Sequence, residues 1–199
     1  MLNATSMVST LPHAGERRHD RAASALLASL FMASRGPLPF DPIERAAQLW
    51  ADRVGPSDTM AAVTSVMRVQ QILLSAVDGA LRPHGLTFAR YEALVLLSFS
   101  RRRRLPMRVM GERLQLHPTS VTNIVDRLQN DGLVRRIPHP TDRRATLVEI
   151  TDTGLGLLEE ATKSVTAVDF GLAGLDAEGK STLFGLLGKI RAASGDFGD

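Results

Sequence analysis

The sequence predicts a mainly helical fold that carries one small β-hairpin. Aromatic residues make up only 5% of the 199 residues, and alanine, leucine and valine supply most of the apolar side chains. That composition favours helices over a β-sandwich. From residue 41 onwards, apolar residues recur every three or four positions over long segments, which is the period of an amphipathic helix. Two short segments, residues 133–137 and 146–150, have the pattern of strands.

Composition also excludes several classes of protein. The chain contains no cysteine, so it has no disulfide framework, no thiolate metal site and no cysteine nucleophile. Its five histidines form no metalloprotease motif, and no glycine-rich phosphate loop occurs. We therefore expect no enzyme, no metal site and no cofactor. No uncharged apolar run approaches the roughly 20 residues of a membrane span, so we expect a cytoplasmic protein without a membrane partner.

The first forty residues show no clear pattern of secondary structure. Small residues, arginines and prolines are mixed there around a short apolar run at 22–33. The run faintly resembles a signal peptide, but Ser24 and Ser29 interrupt it. We expect residues 1–40 to be a poorly ordered extension. It is either a mobile basic arm or an over-extended start, with Met32 as one possible true beginning.

The first predicted helix covers residues 41–55. Asp41 followed by Pro42 is a strong helix start, because aspartate caps the helix and proline fits its first turn. Trp50 lies on the apolar face of this helix, and Gly55 with the following proline ends it.

Four longer helices are predicted on either side of the middle of the chain. Each starts at a short polar side chain suited to an N-cap and continues with apolar residues at helical spacing. They run from Ser57 or Asp58 to about Leu81, from Thr87 to about Phe99, from Thr151 or Asp152 onwards, and from Asp176 to about Ala193.

The middle of the chain has the order of elements of a winged helix-turn-helix. A short helix at 106–114 and a tight turn at 115–117 precede a second helix at 118–130. Gly132 ends that helix at a position suited to positive φ. The two strand-like segments follow and are joined by residues 138–145, which makes a small β-hairpin wing.

The second helix of this motif has a polar outer face near its N-terminus. Small hydroxyl and amide side chains there can reach base edges in the major groove of DNA. Taken alone, the pattern also fits a solvent-exposed amphipathic helix. The residues predicted to face the core are Val121, Ile124, Val125 and Leu128. Those predicted to contact DNA are Pro118, Thr119, Ser120, Thr122, Asn123 and Arg127.

Positive charge is concentrated in the same part of the chain. Residues 101–144 carry eleven arginines and four carboxylates, a net charge of +7, while the remainder carries −4. The arginines at 101–104 are predicted to form the basic end of a helix or a loop. Arg143 and Arg144 lie in the hairpin turn, where we expect one to enter a minor groove and the other to contact phosphate. On charge alone, a solvated surface is the alternative.

Several segments resemble the MarR family of bacterial transcription regulators. They are GLTFARYEAL at 85–94, LQLHPTSVTNIVDRL at 114–128, DGLVRR at 131–136, DRR at 142–144 and LVEITDTG at 147–154.

That resemblance spans about residues 59–193 and implies a homodimer on a pseudo-palindromic DNA operator, with repression as the expected role. In a family domain covering residues 56–199, helices at about 58–82 and 152–194 would intertwine as the dimerisation region. Residues 87–150 would form the DNA-binding lobe.

The helix at 41–55 also resembles the urate-responsive subgroup of the family, which carries an extra N-terminal helix with a tryptophan. The subgroup pattern maps to Trp50, to Glu92 after an aromatic residue, and to Arg136 at the start of the wing. It implies a ligand cleft between the dimerisation helices and the DNA-binding lobe, roofed by Trp50. On physical grounds, an anion in that cleft would be held by Arg136 and would disturb any Glu92–Arg136 pair. A further subgroup arginine is missing, since Asn123 or Ile124 stands there. A small polycarboxylate such as citrate or trans-aconitate is therefore favoured over urate.

Two other functions remain open at this point. An architectural winged-helix protein would bind DNA without an effector and with little sequence preference. A protein–protein winged-helix module is disfavoured by the outward hydroxyl and amide side chains and by the wing arginines.

Overall fold

The computed structural model describes residues 38–142 and 145–198. The predicted extension therefore lies almost entirely outside the described residues, as do Arg143 and Arg144. The fold divides into two units, residues 1–64 and 65–199. In chain order the elements are α1 (Pro42–Arg53), α2 (Asp58–Leu81), α3 (Phe88–Phe99), β1 (Arg104–Pro106), α4 (Met107–Leu114), α5 (Pro118–Asn130), β2 (Val134–Pro138), β3 (Thr146–Ile150), α6 (Asp152–Ala167) and α7 (Ala177–Ala193).

The helix predicted from the Asp41–Pro42 pair is present as α1. Asp41 Oδ1 accepts a hydrogen bond from the backbone N–H of Ile43 at 2.8 Å, which satisfies one of the donors that a helix N-terminus leaves without a partner. No residue of α1 is buried, and Trp50 is 41% exposed. The helix α1 thus offers an exposed indole.

The start of α3 differs from the sequence prediction. Thr87 occupies the N-cap position, but its side chain makes no capping hydrogen bond. Asp78, on α2, instead accepts a hydrogen bond from the backbone N–H of Phe88 at 2.8 Å. The cap thus comes from another helix across the turn at 82–84, and Gly85 closes that turn with φ +68°.

The sheet has one strand more than the predicted hairpin. β1 pairs antiparallel with β3, and β3 pairs antiparallel with β2, so the strand order is β1-β3-β2. The expectation that Arg104 lies in a helix end or loop is wrong. The short helix predicted from Pro106 is present and begins one residue later, with Pro106 as its N-cap. Leu105 is buried opposite Val148. This tertiary contact stabilises the segment as a strand, although its three residues are too few to show an alternation of apolar and polar side chains.

The core of the second unit lies where α3, α5 and the sheet meet α6. Of the four residues predicted to anchor α5 in the core, Ile124 is half-buried and the other three are buried. Further fully buried members are Leu94, Leu97, Met110, Val148, Ala161 and Val165. This packing holds α5 with its opposite face outward.

Two helices leave large apolar side chains exposed. Residues 58–84 form a helical segment that is long and apolar enough to cross a membrane by length and composition, although Arg68 and Asp78 interrupt it. α7 has no buried residue, and its Phe184 is 72% exposed. Exposed patches of this kind mark interaction surfaces. The exposed apolar residues are Val63, Val66, Met67, Val69, Ile72 and Leu74 on α2, and Phe184, Leu186 and Ile190 on α7.

Candidate nucleic-acid interface

The N-terminus of α5 is built by the turn before it. Gln115 adopts the left-handed conformation at φ +54° and ends α4. His117 is the N-cap of α5, and its Nδ1 accepts from the backbone N–H of Thr119 at 3.3 Å. Pro118 stands in the first turn of the helix, where its missing N–H is not needed. The remaining N–H groups make this end of the helix a positively polarised surface.

All six residues predicted to contact DNA from α5 are exposed. The hydroxyl of Thr122 donates to the backbone carbonyl of Pro118 at 3.0 Å, which fixes its rotamer on the outer face. Their burial pattern agrees with the sequence prediction, and together they form one polar surface at the start of the helix. These residues are Pro118, Thr119, Ser120, Thr122, Asn123 and Arg127.

The wing is organised by contacts that sequence reasoning missed. The Nδ1 atom of His139 accepts from the backbone N–H of Asp142 at 3.1 Å, which shapes the start of the hairpin turn. Lower in the hairpin, Arg135 on β2 pairs with Glu149 directly opposite on β3 at 2.6 Å. Arg143 and Arg144 lie outside the described residues, so their predicted contacts with DNA stay predictions.

Arg136 connects the wing to α5. Its guanidinium donates to Asp126 at 2.7 Å and to Gln129 at 2.9 Å, and the arginine side chain is 27% exposed. The hypothesis of a Glu92–Arg136 pair is therefore wrong, because the carboxylate that pairs with Arg136 is Asp126. Neither Asp126 nor Gln129 was assigned a role from the sequence. Their spacing of three residues on one helix face was the signal that could have identified them.

Glu92 lies on α3 between the buried residues Tyr91 and Ala93. Its side chain is exposed, and within the described ranges it forms no ion pair. Partial desolvation by neighbouring groups raises the pKa of the Glu92 carboxyl above its ordinary value. Trp50 belongs to the other unit, so a cleft shared by Trp50, Glu92 and Arg136 stays a prediction.

An apolar groove of about 550 Å³ lies within the second unit. It is formed by α2, the start of α3, the turn after α6, and α7. Its lining contains no charged side chain, which makes it unsuited to hold a small polycarboxylate. The polar lining residues are Ser65 and Gln70, and the apolar ones include Val69, Leu73, Phe88, Phe170, Leu183 and Leu187.

Comparison with known proteins identifies relatives of this fold. The model of the MarR family matches residues 84–145. Sco5413, a MarR family transcriptional regulator from Streptomyces coelicolor, is 55% identical in sequence. The match covers 71% of this chain and 98% of that one, with a TM-score of 0.66.

Two further relatives extend the comparison. Sco3205, a MarR family transcriptional regulator from Streptomyces coelicolor solved in complex with DNA, is 25% identical; the match covers 67% of this chain and 86% of that one, with a TM-score of 0.62. The transcriptional regulator MhqR of Bacillus subtilis is 36% identical over 77 residues, which are 39% of this chain. The match spans about half of the MhqR chain, 52% of its length.

Proposed function

We propose that this chain, which belongs to the MarR family of DNA-binding transcriptional regulators, is a homodimeric repressor released from its operator by a small anionic ligand. The observation that carries the proposal is the exposed polar face at the start of α5, next to a hairpin wing. A cytoplasmic protein without catalytic activity fits this role.

The α5 face suits the major groove of DNA. Short hydroxyl and amide side chains, such as those of Ser120 and Asn123, can donate to and accept from base edges at close range. Arg127 lies about one turn beyond Asn123 on the same helix and is suited to a phosphate. Arg143 and Arg144 in the wing turn would add a minor-groove contact and a phosphate contact.

The apolar faces of α2 and α7 support a homodimer. A second copy is the partner that would cover the groove of about 550 Å³ and the exposed Phe184. Two recognition helices related by a two-fold axis would then read half-sites about 34 Å apart, one turn of DNA. This arrangement supports a pseudo-palindromic operator.

The ligand proposal rests on Arg136. An anion that captures its guanidinium must displace Asp126, and the wing would then lose a direct tie to α5. We assign Trp50, Glu92 and Arg136 to the ligand site, and we favour citrate or trans-aconitate over urate. The apolar groove offers no competing site for these anions, because no charged side chain lines it.

Fluorescence anisotropy tests this function. The full chain is titrated into labelled DNA from upstream of its own gene and into scrambled DNA, at two salt concentrations, with and without each of the three anions. A regulator prefers the upstream DNA by a factor that survives added salt, and one anion relieves the binding. Equal affinity for both DNAs without any anion effect would instead indicate the architectural protein.

Paired variants test the ligand site within the same assay. Arg136→Ala is expected to weaken the response to the anion more than Trp50→Phe does, because the charge holds the anion and the indole only covers it. Equal, unaltered responses from both variants would exclude these residues as the sensor.

A further inference from the structure

Four arginines and a phenylalanine form an exposed corner between α3 and β1. Phe99 is 86% exposed at the end of α3. Arg101, Arg102 and Arg103 are exposed in the turn that follows, and Arg104 is half-buried. Within the described residues, none of these four guanidinium groups forms an ion pair. We call these five residues the α3–β1 corner.

The backbone of this corner is held in an uncommon conformation. Arg102 and Arg103 have φ values of +66° and +55°, a region that non-glycine residues rarely adopt. Ser100 supports the turn: its carbonyl accepts from the backbone N–H of Arg103 at 2.9 Å, and its hydroxyl donates to the carbonyl of Leu97 at 2.7 Å. Strained backbone of this kind clusters at functional sites.

Strand register puts the corner at the opposite end of the sheet from the wing turn. Arg104 pairs with Glu149, whereas the wing turn begins beyond the Pro138–Thr146 pair. Along β3, the partner of Arg104 (Glu149) and the partner of Pro138 (Thr146) are three residues apart, which is about 10 Å at the usual rise. The corner and the wing turn are therefore distinct surfaces at opposite ends of the sheet.

We propose that the α3–β1 corner binds an acidic peptide segment of a partner protein that also carries an apolar side chain. The exposed arginines supply charge complementarity for carboxylates. Phe99 supplies an apolar contact that the phosphate backbone of a duplex cannot match. Aromatic residues and arginine are also the residue types enriched in protein interfaces. This surface is separate from the proposed function at the DNA face.

A pair of defined peptides probes the corner. One is a labelled twelve-residue peptide of aspartate and glutamate with a central phenylalanine, and the other has alanine at that position. The full-length chain is expected to prefer the phenylalanine peptide. Arg101→Ala/Arg103→Ala should raise its Kd about fivefold, as expected for the loss of two exposed ion pairs. Phe99→Ala should abolish the preference between the peptides.

Matched controls separate this surface from general charge effects. Arg53→Ala/Arg82→Ala removes two exposed positive charges elsewhere and should leave the peptide Kd unchanged. Binding of a random-sequence duplex at low salt should be the same for wild type and the corner variant. The proposal is overturned if wild type binds neither peptide, if the corner variant binds the peptide as wild type does, or if that variant loses as much affinity for duplex DNA as for the peptide.

Discussion

Arg136 on β2 donates a hydrogen bond to Asp126 on α5 at 2.7 Å, so one ion pair joins the wing to the recognition helix. Gln129 accepts a second hydrogen bond from the same guanidinium at 2.9 Å. A planar guanidinium that bonds to two side chains on one helix face fixes direction as well as distance. The orientation of the hairpin relative to α5 therefore depends on this contact.

Asp126→Ala should reduce the preference for specific over scrambled DNA, because the wing is no longer held against α5. The free energy of unfolding should fall by about 0.5–1 kcal/mol, the scale of a partly exposed ion pair. Anisotropy with both DNAs and urea unfolding measure the two effects. Glu112→Ala is the control, since it breaks the exposed Arg108–Glu112 pair within α4. Equal losses of DNA preference in both variants would contradict the role of Asp126.

Asn123→Ala and Arg127→Ala should weaken DNA binding in different ways. A side chain that contacts a base edge contributes discrimination of about 1–3 kcal/mol, so Asn123→Ala should lower affinity for the specific DNA alone. A side chain that contacts phosphate acts on every sequence, so Arg127→Ala should weaken both DNAs and reduce the salt slope by about 1. Salt titrations with both DNAs measure this contrast. Identical patterns for the two variants would refute the assigned contacts.

The hydrogen bond that caps α3 should contribute measurably to the stability of the fold. Asp78→Ala removes the acceptor of the Phe88 N–H bond, and the loss of an N-terminal cap costs about 1 kcal/mol. Thr87→Ala should cost much less, because the Thr87 side chain makes no capping bond. Urea unfolding of both variants shows which side chain caps α3. A larger loss of stability for Thr87→Ala than for Asp78→Ala would contradict the cap by Asp78.

Local signals predicted much of this fold. Asp41, Thr151 and Asp176 each cap the helix that their position indicates, and the outer face of α5 is exposed as its apolar period requires. Gly132 ends α5 with φ +72°. These features depend only on neighbours within a few residues.

Contacts between distant segments could not be predicted in the same way. β1 forms because Leu105 is buried against β3, and three residues carry no period of their own. The contact between Asp126 and Arg136 depends on how the hairpin packs against α5, which local sequence patterns do not reveal.

Gly154 illustrates such a contact and gives a fourth prediction. A β-carbon at this position of α6 would lie 2.2 Å from the carbonyl oxygen of Leu133 and 2.9 Å from Ile150. Gly154→Ala must displace backbone and should lower the free energy of unfolding by about 3 kcal/mol. Gly156→Ala, two residues on in open space, should raise it by about 0.5–1 kcal/mol, as expected for glycine in a helix interior. Urea unfolding compares the two variants. Equal effects would contradict the close approach of Gly154 to the carbonyl of Leu133.

Glu92 should make the protein less stable as the pH rises. Desolvation raises the pKa of this carboxyl in the folded state above its ordinary value of 4.5. Between the unfolded and the folded pKa, the folded state therefore binds more protons, and stability falls as the pH increases through that window. Within the described part of the chain, no cation pairs with Glu92 to oppose this trend.

Glu92→Gln removes the titration and so tests its sign. The variant should be slightly more stable than wild type at pH 7, where the wild-type carboxyl is charged. The difference should shrink as the pH falls through 4.5, because the carboxyl then takes up its proton. Urea unfolding of both proteins from pH 4 to pH 7 measures the difference, which should stay small because the side chain is exposed. A difference that is constant over this range would show that folding does not shift the pKa of Glu92. A wild type that is more stable at pH 7 than at pH 4, relative to the variant, would show that Glu92 is stabilised as a carboxylate.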